Sequence, residues 1–216
     1  MKAIVLLGAP GAGKGTAAER VRDAAGYTHV STGDMLREAV RLASPLGLEA
    51  DGFMKRGALV PDELMIRLVE DLLGTGGPEA AYLFDGFPRT LRQADLLDEA
   101  ITKLGGRLAR VIFLDCPREI LIQRLTGRRI CRACGANFHI TNMPPKKAGV
   151  CDQCGGELYQ RPDDHESTII SRLDVFNQKT EGLIARYERK GLLSRVDSSA
   201  GAERLAADVL GVLAAS

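Results

Sequence analysis

AIVLLGAPGAGKGT, residues 3–16, joins five apolar residues to a glycine-rich turn and then to the start of a helical pattern. Five consecutive apolar residues without alternation are typical of a strand that is buried on both faces. Glycines let backbone N–H groups approach a phosphate closely, and a lysine placed like Lys14 can reach the β- and γ-phosphates. The stretch departs from the strict G-x-x-x-x-G-K-[ST] pattern, because Gly15 follows the lysine and the hydroxyl arrives at Thr16. It predicts a phosphate-binding loop after a buried strand, with an ordinary glycine turn as the alternative.

Four further segments have the character of buried strands. Residues 82–85 and 111–115 are apolar runs that end in an aspartate, and residues 27–30 and 192–196 are weaker candidates. Amphipathic helical patterns follow the strong strands, and this alternation is typical of a parallel sheet covered by helices on both faces. The sequence therefore predicts an α/β fold, a three-layer sandwich of the P-loop NTPase type with a five-stranded parallel sheet.

One stretch after the first helix contains no strand pattern. Residues 31–73 read as helices only, one over about residues 34–43 and one that begins after Pro61 and is stopped by Gly74. Proline favours the start of a helix and glycine its end, which supports both boundaries of the second helix. We therefore expect a helical insertion between the first helix and the next strand.

A second stretch, residues 127–164, lacks core-like periodicity and holds two C-x-x-C pairs. The paired residues are Cys131, Cys134, Cys151 and Cys154. Their C-x₂-C-x₁₆-C-x₂-C spacing predicts a closed structural zinc site of four thiolates, with disulfides or an iron–sulfur cluster as alternatives. A zinc ion would hold together a small inserted domain that has almost no core of its own. We expect Ser167 to cap a long helix that ends near Gly191, and Cys116 to be a small buried hydrophobe.

The composition argues against several classes of function. The chain has 216 residues, a formal net charge of +1, and only 5% aromatic residues with no tryptophan. Near-neutral charge gives no overall attraction to nucleic acid or to an anionic membrane, and sparse aromatics disfavour a base-stacking platform. No segment approaches about 18 uncharged apolar residues, so we expect a cytoplasmic protein without a membrane span. His29, His139 and His165 lack the spacing of ligands or bases and are expected to be solvated or hydrogen-bonded.

Asp85 ends a strong strand candidate, and Arg89 follows four residues later. Open α/β sheets bind ligands at the carboxyl ends of their strands, which places Asp85 near the glycine-rich turn. A carboxylate there could hold Mg²⁺ against bound phosphates, with a turn-forming aspartate before Gly86 as the alternative. The planar guanidinium of Arg89 is suited to bidentate contacts with phosphate.

Taken in order along the chain, these motifs make it similar to the adenylate kinases of the long-lid, zinc-binding type. The segments that carry the resemblance are residues 8–16, 31–37, 85–89 with Gln93, 127–129, and 161–164 with Arg172. They extend over nearly the whole chain, and only the part beyond about Ala200 is uninformative.

The resemblance implies a division into three parts. The core would comprise residues 1–30, 61–126 and 165–216, with a nucleoside-monophosphate-binding domain of residues 31–60 and a lid of residues 127–164. The two smaller parts would close over the substrates, and the lid would contain structural Zn²⁺.

The resemblance also implies residue roles. The ATP-binding residues would be Gly11, Ala12, Gly13, Lys14, Gly15, Thr16, Arg128, Asn137, Phe138 and Ala200. The AMP-binding residues would be Thr32, Arg37, Ala58, Leu59, Val60, Gly86, Phe87, Pro88, Arg89, Gln93, Arg161 and Arg172. The catalytic residues would be Lys14, Asp85, Arg89, Arg124, Arg128, Arg161 and Arg172.

The activity implied is reversible phosphoryl transfer, ATP + AMP ⇌ 2 ADP, direct, in-line and dependent on Mg²⁺. It would serve adenine nucleotide homeostasis and nucleotide biosynthesis, with ATP, AMP and ADP as the partners of a monomer that binds neither nucleic acid nor membrane. One alternative is a kinase of the same fold with another nucleoside monophosphate as acceptor. A second is a zinc-ribbon, nucleic-acid-binding ATPase, which would need a basic surface and a salt-sensitive affinity.

Overall fold

The computed structural model describes residues 1–75, 77 and 79–215. The strands are β1 (Lys2–Leu7), β2 (Thr28–Ser31), β3 (Ala81–Asp85), β4 (Arg107–Asp115), β5 (Arg128–Cys131), β6 (Asn137–His139), β7 (Leu158–Tyr159) and β8 (Leu193–Asp197). The α-helices are α1 (Lys14–Ala25), α2 (Thr32–Arg41), α3 (Pro45–Lys55), α4 (Asp62–Gly74), α5 (Leu91–Lys103), α6 (Arg118–Gly127), α7 (Glu166–Val175), α8 (Gly182–Arg189) and α9 (Ala202–Ala214). A 3₁₀ turn covers Pro162–Asp164, and a π-helical turn, Phe176–Thr180, lies between α7 and α8.

Five strands form the central sheet, in the order β2-β3-β1-β4-β8, and every neighbouring pair is parallel. Residues of β1 alternate between two cores: Val5 packs in the cluster on one face of the sheet, and Ile4 in the cluster on the other. Both side chains are fully buried, as are Phe84 and Leu83 of the neighbouring β3. The predicted five-stranded parallel sheet with helices on both faces is confirmed.

Parallel pairing brings the carboxyl ends of the strands to one edge. Leu6 of β1 is in register with Asp85 of β3, which in turn is in register with Ser31 of β2. The loop after β1, the start of α2 and the end of β3 therefore meet at the edge where open α/β sheets bind ligands.

A second, small sheet lies within residues 128–159. Its order is β6-β5-β7, and both pairs are antiparallel. The buried cluster of this sheet consists of Cys131, Phe138, Cys151 and Leu158. Two of these four residues are cysteines, so apolar burial alone gives this segment little stability.

The structure corrects two local predictions. Helix α3 was not expected, because glycines and an aspartate lower its intrinsic propensity. It forms because Ser44 caps its start and because Gly47 lets it pack against α2, where a Cβ would lie 2.1 Å from the carbonyl oxygen of Ala39. The predicted cap by Ser167 is wrong: the N-cap position of α7 is two residues earlier, at His165, which makes no side-chain cap hydrogen bond.

Within the described residues, none of the helices has the length and apolar character needed to cross a bilayer.

Candidate active site and metal centre

The glycine-rich loop lies between β1 and α1. Gly11 and Gly13 adopt positive φ angles of 85° and 91°, a region that glycine enters without strain. A Cβ on Gly13 would also lie only 2.8 Å from Leu205. The ammonium group of Lys14 donates to the carbonyl oxygens of Gly8 and Ala9, at 3.0 Å each. Burial lowers the pKa of Lys14 to about 8.

Asp85 ends β3 and faces this loop. A Cβ on Gly15, in the first turn of α1, would lie 3.6 Å from its Oδ2 atom. His29 Nε2 lies 3.5 Å from the same oxygen. Burial alone would raise the pKa of the Asp85 carboxyl, but His29 and Lys14 outweigh it, so the pKa is lowered. The group is therefore an anion beside the glycine-rich loop.

Two arginines share a buried aspartate, Asp164, in the 3₁₀ turn before α7. Arg128 donates from Nε and Nη2 to Asp164, at 2.8 and 2.6 Å, and Arg172 Nη1 lies 3.1 Å from Asp164 Oδ1. Arg172 also lies 3.0 Å from Asp163 Oδ2. The side chain of Asp164 is fully buried. Because a bidentate pair fixes the guanidinium plane, these contacts hold both arginines in place.

Two further arginines share a second carboxylate. Arg37 Nη2 donates to Asp34 Oδ1 at 2.6 Å, and Arg161 Nη2 donates to the same oxygen at 3.2 Å. Burial would raise the pKa of Asp34, but Arg37, Ser31 and Arg161 together lower it to about 2. Burial also lowers the pKa of Arg161, to about 10.

Arg89 is held by its own loop and by the π-helical turn. Its Nε donates to the carbonyl oxygen of Gly86 at 2.7 Å, and Thr180 Oγ1 donates to the Arg89 carbonyl at 2.9 Å. Burial, with Arg172 next in effect, lowers the pKa of Arg89 to about 10. The peptide bond between Phe87 and Pro88 is cis.

A cleft of about 1370 Å³ collects most of the predicted site residues. Of the predicted ATP-binding residues, those that line the cleft are Gly11, Gly13, Lys14, Gly15, Thr16, Arg128, Asn137, Phe138 and Ala200. Of the residues predicted to bind AMP or to be catalytic, those that also line the cleft are Arg37, Leu59, Asp85, Gly86, Pro88, Arg89, Arg124, Arg161 and Arg172.

A smaller cavity of about 60 Å³ adjoins the cleft. Its lining includes Thr32, Arg37, Ala58, Leu59, Val60, Gly86, Arg89, Gln93 and Arg172, all predicted on the AMP side. Five of these residues, Arg37, Leu59, Gly86, Arg89 and Arg172, also line the large cleft. Three of the five are arginines, so the two spaces share a wall of positive charge.

Three predicted site residues are placed differently from the rest. Ala12 and Phe87 line neither space, because their side chains are buried in the two cores. Arg124 lines the cleft but stands apart from the other arginines. Its Nη2 donates to the carbonyl oxygens of Ser198 and Ser199, at 2.7 and 3.2 Å.

The structure also reveals site residues that sequence reasoning passed over. The carboxylates of Asp34, Asp163 and Asp164 hold the arginines, and Thr180 holds the Arg89 backbone. The three aspartates lie inside motifs quoted for the resemblance, so the available signal was an acidic residue within two or three positions of a predicted arginine. Thr180 has no such signal, because its partner is 91 residues away.

The four paired cysteines come together in the small sheet. Their Sγ atoms all lie within 4.8 Å of one another, with 3.4 Å between Cys131 and Cys154 and 3.6 Å between Cys134 and Cys151. A tetrahedral shell with Zn–S bonds of about 2.3 Å would set its sulfurs about 3.8 Å apart. Backbone N–H groups of Cys134 and Ala133 help to lower the pKa of Cys131, whereas neighbouring thiols raise the pKa values of Cys134 and Cys154. The geometry therefore fits one tetrahedral zinc ion.

Comparison with known proteins adds an independent observation. The sequence profile of the family described as adenylate kinase matches residues 6–192. The chain belongs to the adenylate kinase family. It is 47% identical to the adenylate kinase of Geobacillus sp. (strain WCH70) over 95% of each chain. It is 47% identical to that of Carboxydothermus hydrogenoformans over 97% of this chain and 98% of the relative, and 45% identical to that of Bacillus subtilis over 97% of each.

Membership in the adenylate kinase family confirms the resemblance that the motifs predicted. The chain is a nucleoside monophosphate kinase, a phosphotransferase that binds nucleotides. The alternative of a nucleic-acid-binding ATPase finds no support in these relatives. The adenylate kinase assignment also accounts for the joined cleft and cavity, since a kinase of this class must hold two nucleotides at once.

Proposed function

We propose that this member of the adenylate kinase family catalyses ATP + AMP ⇌ 2 ADP by direct in-line transfer. The observation that carries the proposal is the shared wall of Arg37, Arg89 and Arg172 between the loop around Lys14 and the cavity that contains Gln93. A phosphoryl group crossing from one nucleotide to the other would pass this wall. Phosphoryl transfer depends mainly on positioning and charge neutralisation, which arginines and a lysine supply.

The two nucleotides would bind on opposite sides of this wall. ATP would occupy the glycine-rich loop, with Lys14 on its phosphates and its base between the lid residues Asn137 and Phe138 and the chain near Ala200. AMP would place its base at the smaller cavity and its phosphate on Arg37 and Arg89, at the wall that this cavity shares with the large cleft. The remaining predicted residues of each set line the same spaces, apart from Ala12 and Phe87, which line neither, and Pro88 and Arg161, which line only the large cleft.

The carboxylates that pair with the arginines would hold the guanidinium groups in position. Asp164 pairs with Arg128 and Arg172, and Asp34 pairs with Arg37 and Arg161. Guanidinium groups fixed in this way need little reorganisation when negative charge develops on the transferring group. No general acid or base is required, because the acceptor is already an anionic phosphate.

Mg²⁺ would arrive with ATP, and its charge would neutralise the β- and γ-phosphate oxygens. Asp85 is suited to hold it, directly or through water, because the lowered pKa keeps the carboxylate ionised. Thr16 lines the same cleft and offers a hydroxyl. Zn²⁺ would be held by the four lid cysteines in a closed shell without a position for substrate, so its role would be structural.

The proposed working parts are a core of residues 1–30, 61–126 and 165–216, a monophosphate-binding domain of residues 31–60, and a lid of residues 127–164. Closure of the two smaller parts would exclude water and so suppress hydrolysis of ATP. We propose further that the enzyme is a cytoplasmic monomer that maintains the balance of adenine nucleotides.

The decisive experiment offers Mg-ATP with AMP, GMP, CMP and UMP in parallel and separates the products by chromatography. We expect ADP to form only with AMP, and the reverse reaction to run from ADP alone. Transfer to a different monophosphate would overturn the acceptor assignment. Hydrolysis of ATP without transfer to any acceptor would overturn the kinase reaction itself.

A further inference from the structure

Gln93 is held on both sides of its side-chain amide. Its Oε1 accepts from the backbone N–H of Arg89 at 2.7 Å, and its Nε2 donates to Asp62 Oδ1 at 2.7 Å. The residue is only 1% exposed, yet it lines the small cavity. A second hydrogen bond, from Thr90 Oγ1 to Asp62 Oδ2 at 2.9 Å, fixes the other oxygen of the carboxylate.

The two neighbours permit only one orientation of this amide. The backbone N–H of Arg89 can only donate, so it requires the amide oxygen, and an ionised Asp62 carboxylate can only accept, so it requires the amide nitrogen. Rotating the amide by half a turn would set N–H against N–H and oxygen against oxygen. Because buried polar groups without partners are costly, the observed orientation is locked.

The locked amide still has one hydrogen on Nε2 and one lone pair on Oε1. Adenine presents the matching pair, an exocyclic amino group that donates and a ring N1 that accepts. A 6-oxopurine presents the reverse, a carbonyl that accepts and a ring N1–H that donates. An amide that cannot rotate therefore matches adenine and mismatches a 6-oxopurine.

We propose that Asp62 is a positioning residue that fixes the Gln93 amide and thereby sets the preference for AMP over 6-oxopurine monophosphates. This inference rests on the proposed AMP site at Gln93. Asp62 is the first residue of α4, directly after Val60 and Pro61, whereas Gln93 lies in the first turn of α5. The Asp62 carboxylate therefore connects the start of α4 to Gln93, the residue proposed to contact the base.

Asp62 also lies at the N-terminus of a helix, where any acidic residue interacts favourably with the macrodipole. Glu63 shares that position in the first turn and is exposed, so Glu63→Ala is the matched control. Asp62→Asn is the rescue variant, because its carbonyl can accept from Gln93 while its amide donates to Thr90. Fixing the Gln93 amide requires a hydrogen-bond acceptor at position 62 and not a negative charge.

The test measures kcat and KM with AMP and with IMP as acceptor, at saturating Mg-ATP. We expect Asp62→Ala to lower the ratio of kcat/KM for AMP over that for IMP by about 10-fold, mainly through the KM for AMP. The KM for ATP should not change. Asp62→Asn and Glu63→Ala should keep the wild-type ratio. If Asp62→Ala does not fold, Asp62→Ser, which keeps a shorter polar side chain at the helix start, replaces it.

A double-variant cycle separates this inference from the proposed AMP site. Gln93→Leu alone should lower the ratio, and Asp62→Ala added to Gln93→Leu should lower it no further, because Asp62 acts only through Gln93. An unchanged ratio in Gln93→Leu would overturn the AMP site. A lowered ratio in Gln93→Leu with an unchanged ratio in Asp62→Ala, or an equal loss in Glu63→Ala, would overturn the role of Asp62.

Discussion

Arg161 Nη2 lies 3.2 Å from Asp34 Oδ1, and this contact joins residues 127 positions apart in the chain. Arg161 stands at the end of the proposed lid, and Asp34 lies in the first turn of α2, in the proposed monophosphate-binding domain. The same oxygen accepts from Arg37. One carboxylate therefore links the two segments that would close over the substrates.

Replacing Asp34 by alanine should weaken this link. We expect the KM for AMP to rise about threefold with little loss of kcat, because a partly exposed ion pair contributes modestly. Steady-state kinetics give the answer. Asp51→Ala is the control, since Asp51 pairs with Lys55 within α3. An equal rise in both variants would show that the contact with Arg161 has no part in binding.

The lowered pKa of Lys14 predicts that nucleotide binding is linked to proton uptake. At pH 8.5 about three quarters of a group with a pKa of about 8 is unprotonated, and phosphate oxygens next to the ammonium should raise its pKa again. Calorimetry of Mg-ATP binding in two buffers of different ionisation enthalpy should therefore show uptake of a fraction of a proton at pH 8.5 and almost none at pH 6.5.

The same shift predicts a pH dependence of stability. The unfolded chain keeps the Lys14 proton up to about pH 10.5 and the folded chain only to about pH 8, so the contribution of this group to the free energy of unfolding rises with pH between these values.

Lys14→Arg is the control for the calorimetry, because arginine stays charged throughout and should abolish the proton uptake on Mg-ATP binding at pH 8.5. Equal binding heats in both buffers for the wild type would contradict the linkage.

Arg89→Ala should leave the fold intact and reduce turnover by about 10²–10³, because a buried guanidinium beside the reacting phosphoryl group stabilises its developing charge. The coupled assay for ADP measures the loss, and thermal melting checks the fold. Arg92→Ala is the control, since Arg92 lies three positions away on an exposed part of α5. Turnover within a factor of two of the wild type would refute the role of Arg89.

Asp164→Asn should destabilise the protein. The aspartate is fully buried between Arg128 and Arg172, so its loss leaves two guanidinium groups without their counter-charge. We expect the free energy of unfolding to fall by about 3 kcal/mol, measured by urea titration. Asp174→Asn, which breaks only an exposed pair with Arg118, should change it by less than about 0.5 kcal/mol. Similar losses in the two variants would contradict the argument.

Cys131→Ser should abolish stoichiometric zinc and lower the melting temperature, because a structural zinc site contributes its binding free energy to folding. Elemental analysis of the wild type should find about one zinc ion per chain. Cys116→Ser is the control, as Cys116 lies after β4 in contact with Arg124, outside the cysteine cluster. Zinc content that is the same in Cys131→Ser as in the wild type would refute the four-cysteine site.

The predictions from sequence succeeded where the deciding interactions are local. The run of residues 3–7, the glycines of the loop and the two C-x-x-C pairs each carry their structure in a short stretch, and all three are found as predicted. Helix α3 escaped prediction because its stability comes from packing of Gly47 against α2, a contact that local propensity does not contain. Cys116 was expected to be buried and is only partly so.

By itself the sequence determined the central sheet, the glycine-rich loop, the spacing of the paired cysteines and the positions of the arginines, because periodicity and motif chemistry act over a few residues. Only the tertiary structure decided which carboxylates hold those arginines, that Arg124 turns toward Ser198, and that Asp62 meets Gln93. The pairs Asp62–Gln93, Arg128–Asp164, Arg124–Ser198 and Arg161–Asp34 join residues 31 to 127 positions apart. Their geometry follows from how the elements pack in space, which no local pattern encodes.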